Sequence, residues 1–370
     1  MINYLNRLLL RRYMIELRNE AQRERYISEL WPKLFGGKPK LSIEFIDAGV
    51  LNYVYRAESN GNVVYFKQAL HEAKHKSRIG DDLASIPKER IQHERRFIEI
   101  AAPLLPPQIE LPRILEYDQN NNILVLSDVK KDGILLEDSL LAGNFNTRTA
   151  YYLGKFLGIT HKATLGQKRV VRGSKTEDTD MWELYIRMRT IGILRKDKLP
   201  PNVKREVERF YEDVRKHHTY NVLANSDCCP KQVLERKDSV GLVDFEMATG
   251  VGDPAFDLGF LVGHYFLMMA IRNDKLQEGI KAVRQIAKAY DEEMRPLKDG
   301  AHEKRTIKYA GMTMVYRIVG SSPAPYIDAG NLDLTNRIKN AAFELITRNF
   351  SSFDNSFEYL QQALAKSHHT

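Results

Sequence analysis

The sequence predicts an α+β protein in two lobes, with an antiparallel sheet on the N-terminal side and a helical lobe on the C-terminal side. Three observations carry that expectation. Short runs rich in β-branched and aromatic residues crowd into residues 41–68 at hairpin spacing. From Asn146 onward, apolar residues recur at helical spacing through most of the chain. Between these halves Lys130-Lys131-Asp132-Gly133 is polar and turn-prone, which puts the boundary near residues 128–134. The expected divisions are an N-terminal helix over 1–34, a sheet lobe over 35–130 and a helical lobe over 131–370.

Taken in order, residues 2–31 read as one amphipathic helix, with Ile2, Leu5, Leu9, Tyr13 and Leu17 on one face and arginines interspersed. A basic amphipathic helix serves a membrane, a partner or its own domain. The last is the simplest reading. Pro32 and the Gly36-Gly37-Lys38-Pro39 cluster end it, and strands follow over 41–46, 52–58 and 63–68. Asn60-Gly61-Asn62 marks a hairpin between the last two. In the connection over 47–51, Gly49 lets backbone N–H groups approach an anion. A helix is expected over 87–101 and an apolar strand over 123–129. Beyond it come a buried helix over 153–164 and helices over 182–194 and 201–217 beside a charged loop over 172–180. Further helices are expected over 276–294, 302–319 and 332–364.

The 370 residues, 43% of them hydrophobic, can bury a sizeable core. A formal net charge of +8 suits anionic ligands, but no basic stripe interleaves with aromatics, so nucleic-acid binding is not expected. The longest apolar run, 258–271, is interrupted by Gly, His and Tyr and reads as too short for a membrane span. With no signal peptide evident, the expected location is the cytoplasm. Cys228 and Cys229 are adjacent, which disfavours a structural disulfide and fits packing in a reducing compartment. The sequence is compatible with a homodimer.

The chemistry concentrates in residues 225–259, NSDCCPKQVLERKDSVGLVDFEMATGVGDPAFDLG. Asp227 precedes a turn at Pro230, Gln232 offers an amide, and an apolar run at 240–243 leads to Asp244 and Glu246. Transfer of a phosphoryl group from ATP needs in-line geometry, Mg²⁺ across the phosphates and an acceptor for the hydroxyl proton. Asp244, Glu246 and Gln232 carry the oxygen donors that Mg²⁺ prefers, which leaves Asp227 to orient or deprotonate the hydroxyl. If the segment is extended, residues 244 and 246 face the same side. Lys67, within VVYFKQAL, is costly to bury without an anionic partner, and Glu94 in the 87–101 helix is the candidate partner. A kinase uses such a lysine on the phosphates of ATP.

The 225–259 stretch resembles the catalytic loop and metal motif of the aminoglycoside phosphotransferase and choline kinase-like group, H-x-D-x-x-x-x-N followed by D-x-D or D-x-E. The resemblance makes Asp227 the catalytic Asp, Gln232 the counterpart of the Asn, Asp244 the metal-binding Asp and Glu246 the second acid. Two positions depart: Asn225 stands for the His, normally a scaffold residue, and Gln232 for the Asn. In GDPAFDL, Asp257 falls on an Asp that braces the catalytic loop in that group. FIDAGVLNYVYR followed by FKQAL is similar to methylthioribose kinases, with the pattern D-G-N-L-N-x-V-F and then V-K-Q-A-L, which brings Gly49, Asn52, Lys67 and Glu94 to ATP. Residues 314–320 resemble the M-I-R-R-I-x-G helix of those kinases, whose second arginine, near the substrate, is Arg317, while Tyr316 replaces the first. Residues 153–164 resemble the helix ending in L-x-x-x-H, making His161 structural.

The resemblance implies a kinase-like fold with ATP in the cleft between lobes, Ser127, Asp128 and Val129 lining the adenine pocket through their backbones, and Mg²⁺ as cofactor. The expected activity is phosphorylation of a hydroxyl on a small molecule, with a methylthioribose-like sugar first. Polycationic acceptors fit less well, given Arg172, Lys175, Arg187, Arg189, Arg195 and Lys196 in the region expected to meet the substrate. The alternative is a non-catalytic nucleotide-binding or scaffold protein on the same fold, motivated by Asn225 and Gln232. A protein kinase is a third reading, against which stands the short path from Asp244 to Asp257.

Overall fold

The computed structural model describes residues 14–75, 87–129, 133–166, 199–216, 222–295, 301–320, 323–327 and 331–365. The expected helix over 182–194, the charged loop over 172–180, the first residues of the expected N-terminal helix and Lys130-Lys131-Asp132 lie outside the described residues. In chain order come α1 (Glu20–Phe35), β1 (Ser42–Ile46), β2 (Tyr53–Ser59), β3 (Asn62–Gln68), α2 (Arg90–Ala101), β4 (Ile109–Glu110), β5 (Ile114–Asp118) and β6 (Ile123–Ser127). Then follow β7 (Ile134–Leu135), α3 (Leu136–Leu141), α4 (Thr147–Thr164), α5 (Pro201–Lys216), β8 (Val222–Ala224), β9 (Val233–Glu235), β10 (Val240–Leu242) and β11 (Thr249–Gly252). The last five helices are α6 (Pro254–Ile271), α7 (Leu276–Met294), α8 (His302–Val319), α9 (Leu332–Thr347) and α10 (Phe353–Ala365). The chain divides into two compact units, Met1–Arg95 with Pro112–Asp128, and Arg96–Leu111 with Val129–Thr370.

In the first unit β1-β2-β3-β6-β5 form one antiparallel sheet. Asn60 and Gly61 both take left-handed backbone, φ 50° and 74°, as a two-residue hairpin turn requires. Lys67 sits opposite Val54 on β2 and Leu124 on β6. Alternation sends Val64 and Phe66 to the other face, where they join Tyr55, Ala57 and Val125 in a core with Ile27, Leu30 and Trp31 of α1. The N-terminal helix thus packs on its own unit.

That helix is shorter at its start than its apolar spacing suggested. Residues 14–19 are not helical. The Ile15 N–H donates to Asn121 Oδ1 at 2.8 Å and the Leu17 N–H to Gln68 Oε1 at 2.7 Å, so side chains of the sheet unit take the backbone donors there. Asn19 then caps α1 by accepting from the Gln22 N–H at 3.1 Å. Nor does Pro32 end the helix: it lies within the last turn, and Gly36, φ 74°, follows the final residue.

The second unit holds a four-stranded sheet, β4-β10-β9-β7, in which β10 runs parallel to β4 and antiparallel to β9, and a two-stranded sheet of β8 and β11. At its centre is α6, buried at nearly every position. It starts earlier than the apolar run 258–271 because Asp253 caps it and Pro254 occupies the first turn. At 18 residues and mean hydropathy 1.4, α6 has the length and composition to cross a membrane, yet 94% of it is buried inside the protein. Close packing with α8 requires Gly259, since a Cβ there would lie 2.5 Å from Tyr309 Cβ and 2.6 Å from the Thr306 carbonyl oxygen. The single C-terminal helix expected over 332–364 is two. Arg348 turns to extended backbone after α9, and Ser352 Oγ accepts from the Asn355 N–H at 3.3 Å as α10 begins.

Candidate active site

The Asp227 loop joins β8 to β9 and closes through one 3-10 turn at Pro230–Gln232. Its anchor is Asp257, in the first turn of α6 and fully buried. Asp257 accepts the Asn225 N–H on Oδ2 and the Ser226 N–H on Oδ1, both at 2.7 Å. His161 Nε2 lies 3.2 Å from Oδ2, and its Nδ1 lies 3.1 Å from the Tyr290 hydroxyl, so helices α4 and α7 back the carboxylate. These are short charge-assisted bonds, and they hold Ser226 in left-handed backbone, φ 62°, a conformation that costs a non-glycine residue about 1–3 kcal/mol. Asn225 then accepts the Asp227 N–H on Oδ1 at 3.3 Å. Asn225 therefore ties the loop through its backbone N–H and its side chain alike.

Pairing of β9 with β10 decides what faces Asp227. Val233 sits opposite Leu242, and the Val243 N–H donates to the Gln232 carbonyl at 3.0 Å, which draws Gln232 beside Asp244. Gln232 Nε2 donates to Asp227 Oδ2 at 2.7 Å and to Asp244 Oδ2 at 3.2 Å. One amide therefore ties the candidate base to the candidate metal ligand. Gln232 Oε1 is buried and has no hydrogen-bond partner among the described residues.

The extended segment expected at 244–246 is replaced by a turn. β10 stops at Leu242, Asp244 takes φ 69°, and the Ala248 N–H closes on the Phe245 carbonyl at 3.0 Å. Strand alternation therefore has no part in bringing the two acids together. Phe245 anchors the turn by stacking on Phe97, centroids 4.6 Å apart and planes within 9°. Carboxylate oxygens of Asp244 and Glu246 still come within 4.8 Å of each other. Two carboxylates so placed, beside an amide oxygen with no partner, fit an oxygen-preferring divalent cation.

In the first unit Lys67 Nζ lies 2.7 Å from Glu94 Oε2, with the two side chains 7% and 1% exposed. The 47–52 connection is pinned by Arg90, a buried side chain whose role the sequence did not reveal. Arg90 donates to Asn52 Oδ1 at 2.8 Å and to the carbonyls of Leu51, Leu70 and Pro87 at 3.2, 3.1 and 2.9 Å. Asn52 thus has a structural bond besides any ligand. A Cβ at Gly49 would meet no protein atom within 4 Å. At the strand over 123–127, Ser127 already spends its N–H on the Arg113 carbonyl at 2.9 Å, while in the second unit Arg236 donates to the Val129 carbonyl. Asp128, half-buried, ends the first unit.

A polar group also gathers at Lys231, unforeseen from the sequence because its members are far apart in the chain. Lys231 is an exposed residue of the 3-10 turn, and α3 packs against that turn. Cys229, Asp227 and Asp244 hold its ammonium above the ordinary lysine range, against desolvation. Burial pushes the Glu137 carboxyl up, opposed by Arg317 and then Lys231. Arg317, 7% exposed near the end of α8, accepts the Ala324 N–H on its carbonyl at 2.7 Å, which turns the chain back and brings Tyr326 alongside. Burial pushes the Tyr326 phenol up to about 12, with Arg317 opposing. Its hydroxyl sits beside Glu137 and Arg317. Tyr316 is buried, at 4% exposure.

No family model and no curated protein matches this chain. Solved structures do. A candidate aminoglycoside phosphotransferase from Ralstonia eutropha aligns at TM-score 0.55 and 14% identity, covering 92% of this chain and 98% of that one. The fold is kinase-like. A choline/ethanolamine kinase family protein from Mesorhizobium loti aligns at TM-score 0.51 and 16% identity, covering 92% and 99%. An amicoumacin kinase in complex with AMP-PNP, Ca²⁺ and amicoumacin aligns at 0.51 and 13%, covering 87% and 93%. This kinase-like fold is the α+β arrangement expected, with its antiparallel sheet N-terminal and its helices following.

Two outcomes test these geometries. Lys67→Met strands the buried Glu94 carboxylate and is expected to cost about 3–5 kcal/mol in denaturant unfolding, whereas Lys67→Met with Glu94→Leu recovers most of that loss. Cys228 and Cys229, 1% and 2% exposed, are free thiols, and burial first of all pushes the Cys228 thiol well up. Iodoacetamide at pH 8 is therefore expected to leave Cys228 unlabelled in native protein and to label it on unfolding, as read by peptide mass spectrometry.

Proposed function

We propose that this chain is an ATP- and Mg²⁺-dependent kinase that phosphorylates a hydroxyl of a small sugar-like molecule, methylthioribose-like in the first instance. The observation that carries the proposal is the Asp227–Gln232–Asp244 array with Glu246 beside it, on a loop that a buried carboxylate holds in strained backbone. Asp227 is half-buried and accepts from Gln232 Nε2 on Oδ2, and it is the group that would orient an acceptor hydroxyl and take its proton. Asp244 and Glu246, with Gln232 Oε1, would hold Mg²⁺, which neutralises charge on the phosphates. Lys67, itself held by Glu94, supplies the cation for the nucleotide phosphates, and Gly49 leaves the 47–52 connection open to them. Backbone groups around Asp128 are the proposed adenine contacts. Asp257 acts by positioning the loop and touches no substrate.

The scaffold reading draws on Asn225 and Gln232, but Asn225 supports the Asp227 N–H and Gln232 bonds both carboxylates. The protein-kinase reading lacks room: the turn at 245–248 and β11 fill the interval after Asp244.

The test is MgATP turnover against methylthioribose, other pentoses, amino alcohols and aminoglycosides. Turnover with one acceptor is expected, lower by about 10²–10⁴-fold in Asp227→Ala with MgATP affinity kept. Failure of the wild-type chain to bind MgATP would sink the kinase reading.

A further inference from the structure

Besides Lys67, the first unit buries the side chain of a second lysine, Lys74, for which the chemistry described above has no use. That side chain is 2% exposed although the residue lies in a turn beyond β3, outside any helix or strand. Its ammonium sits 4.8 Å from the Phe45 ring centroid, donates to the Ile46 carbonyl at 3.3 Å and lies 3.2 Å from Asp47 Oδ1. His75 Nε2 lies 2.6 Å from the same oxygen, and His75 first and Lys74 next hold the Asp47 carboxyl below the ordinary range. The backbone of this turn reaches the other end of the connection. The Lys74 N–H donates to the Leu51 carbonyl at 3.2 Å and the His75 N–H to the Val50 carbonyl at 3.0 Å. Arg90 reaches the Leu51 carbonyl as well, also at 3.2 Å. By contrast, the N–H groups of Ala48, Gly49, Val50 and Leu51 make no hydrogen bond among the described residues.

We infer that Lys74 is the positioning residue of the nucleotide loop: with Asp47 and His75 it clasps both ends of the connection, so that the N–H groups of residues 48–51 stay presented to a phosphate. The inference rests on the proposed kinase activity for its statement that this phosphate belongs to ATP. A trans peptide sets its N–H opposite its carbonyl, so the Val50 carbonyl held by His75 directs the Leu51 N–H away from the clasp. At the other end Lys74 holds the Ile46 carbonyl and the Asp47 side chain, which fixes where the span through Ala48 and Gly49 begins. Glycine would otherwise leave that span a freedom that an anion must remove on binding, and a loop ordered beforehand binds more tightly. Lys74 itself touches no ligand in this role. Its ammonium is spent on the Ile46 carbonyl and Asp47, and it acts through the loop.

The experiment is isothermal titration of the full chain with MgATP, adenosine and tripolyphosphate, for wild type, Lys74→Met, Lys74→Arg and Asp47→Ala, with circular dichroism in parallel. Lys74→Met is expected to weaken MgATP about tenfold or more and to leave adenosine within about twofold, since only the phosphates meet the loop. Lys74→Arg keeps a charged donor and is expected to recover most of that loss. Asp47→Ala separates positioning from charge. Removing a negative charge near the phosphates would by electrostatics alone tighten MgATP, whereas losing the anchor of the loop is expected to weaken it about fivefold or more. The Asp47 side chain is 53% exposed, so this variant decides the matter even if Lys74→Met fails to fold. Wild-type MgATP affinity in Lys74→Met, equal losses of MgATP and adenosine, or tighter MgATP in Asp47→Ala would overturn the role of Lys74. Wild type that binds tripolyphosphate in a Lys74-dependent way but not MgATP would overturn the kinase reading and leave the loop assignment standing. Binding of neither would overturn both.

Discussion

The second unit's chemistry depends on where the Asp257 carboxylate sits. A buried carboxylate is costly unless its oxygens are taken, and here two backbone N–H groups and an imidazole take them. The bonds run both ways in their effect. They make burial of Asp257 tolerable, and they hold Ser226 in left-handed backbone so that Asp227 leaves the loop in a fixed direction. The carboxylate is aimed by helix α6, which Asp253 caps and which Gly259 allows against α8. Packing of apolar helices and placement of the candidate base are thus one problem with one solution.

A second buried charge organises the first unit. Lys67 and Glu94 are each nearly inaccessible, and neither is tolerable alone. Sheet alternation puts Lys67 on the face opposite α1, and Arg90, on the same helix as Glu94, ties that helix to the 47–52 connection. The pair therefore does more than store a cation: it fixes the helix, and the helix fixes the loop that carries Gly49.

Much of this was legible in the chain. The Asn60-Gly61 turn, the three strands around it and the buried lysine follow from local rules, because hairpin chemistry and the cost of burying a charge act over a few residues. Glu94 could be named because a kinase pairs its strand lysine with a helix-borne acid, although Glu89 and Glu99 share that segment. The turn at Asp244 could not be foreseen, since it depends on Phe245 finding Phe97, which stands 148 positions earlier in the chain. The strands β8, β9 and β11 are three or four residues long, too short for a periodicity to register. The start of α1 depended on Gln68 and Asn121 accepting from residues 15 and 17. The gathering of Glu137, Lys231, Arg317 and Tyr326 is likewise a product of tertiary packing, visible only once α3 and the end of α8 are in place.

A crystal structure of the chain with Mg²⁺ and a non-hydrolysable ATP analogue tests the account most directly. The account predicts a divalent ion ligated by Asp244 and Glu246, the Gln232 amide turned so that Oε1 faces the ion, and the terminal phosphate presented toward Asp227. A nucleotide bound away from Lys67, or an ion that leaves Asp244 and Glu246 without a metal bond, would contradict it.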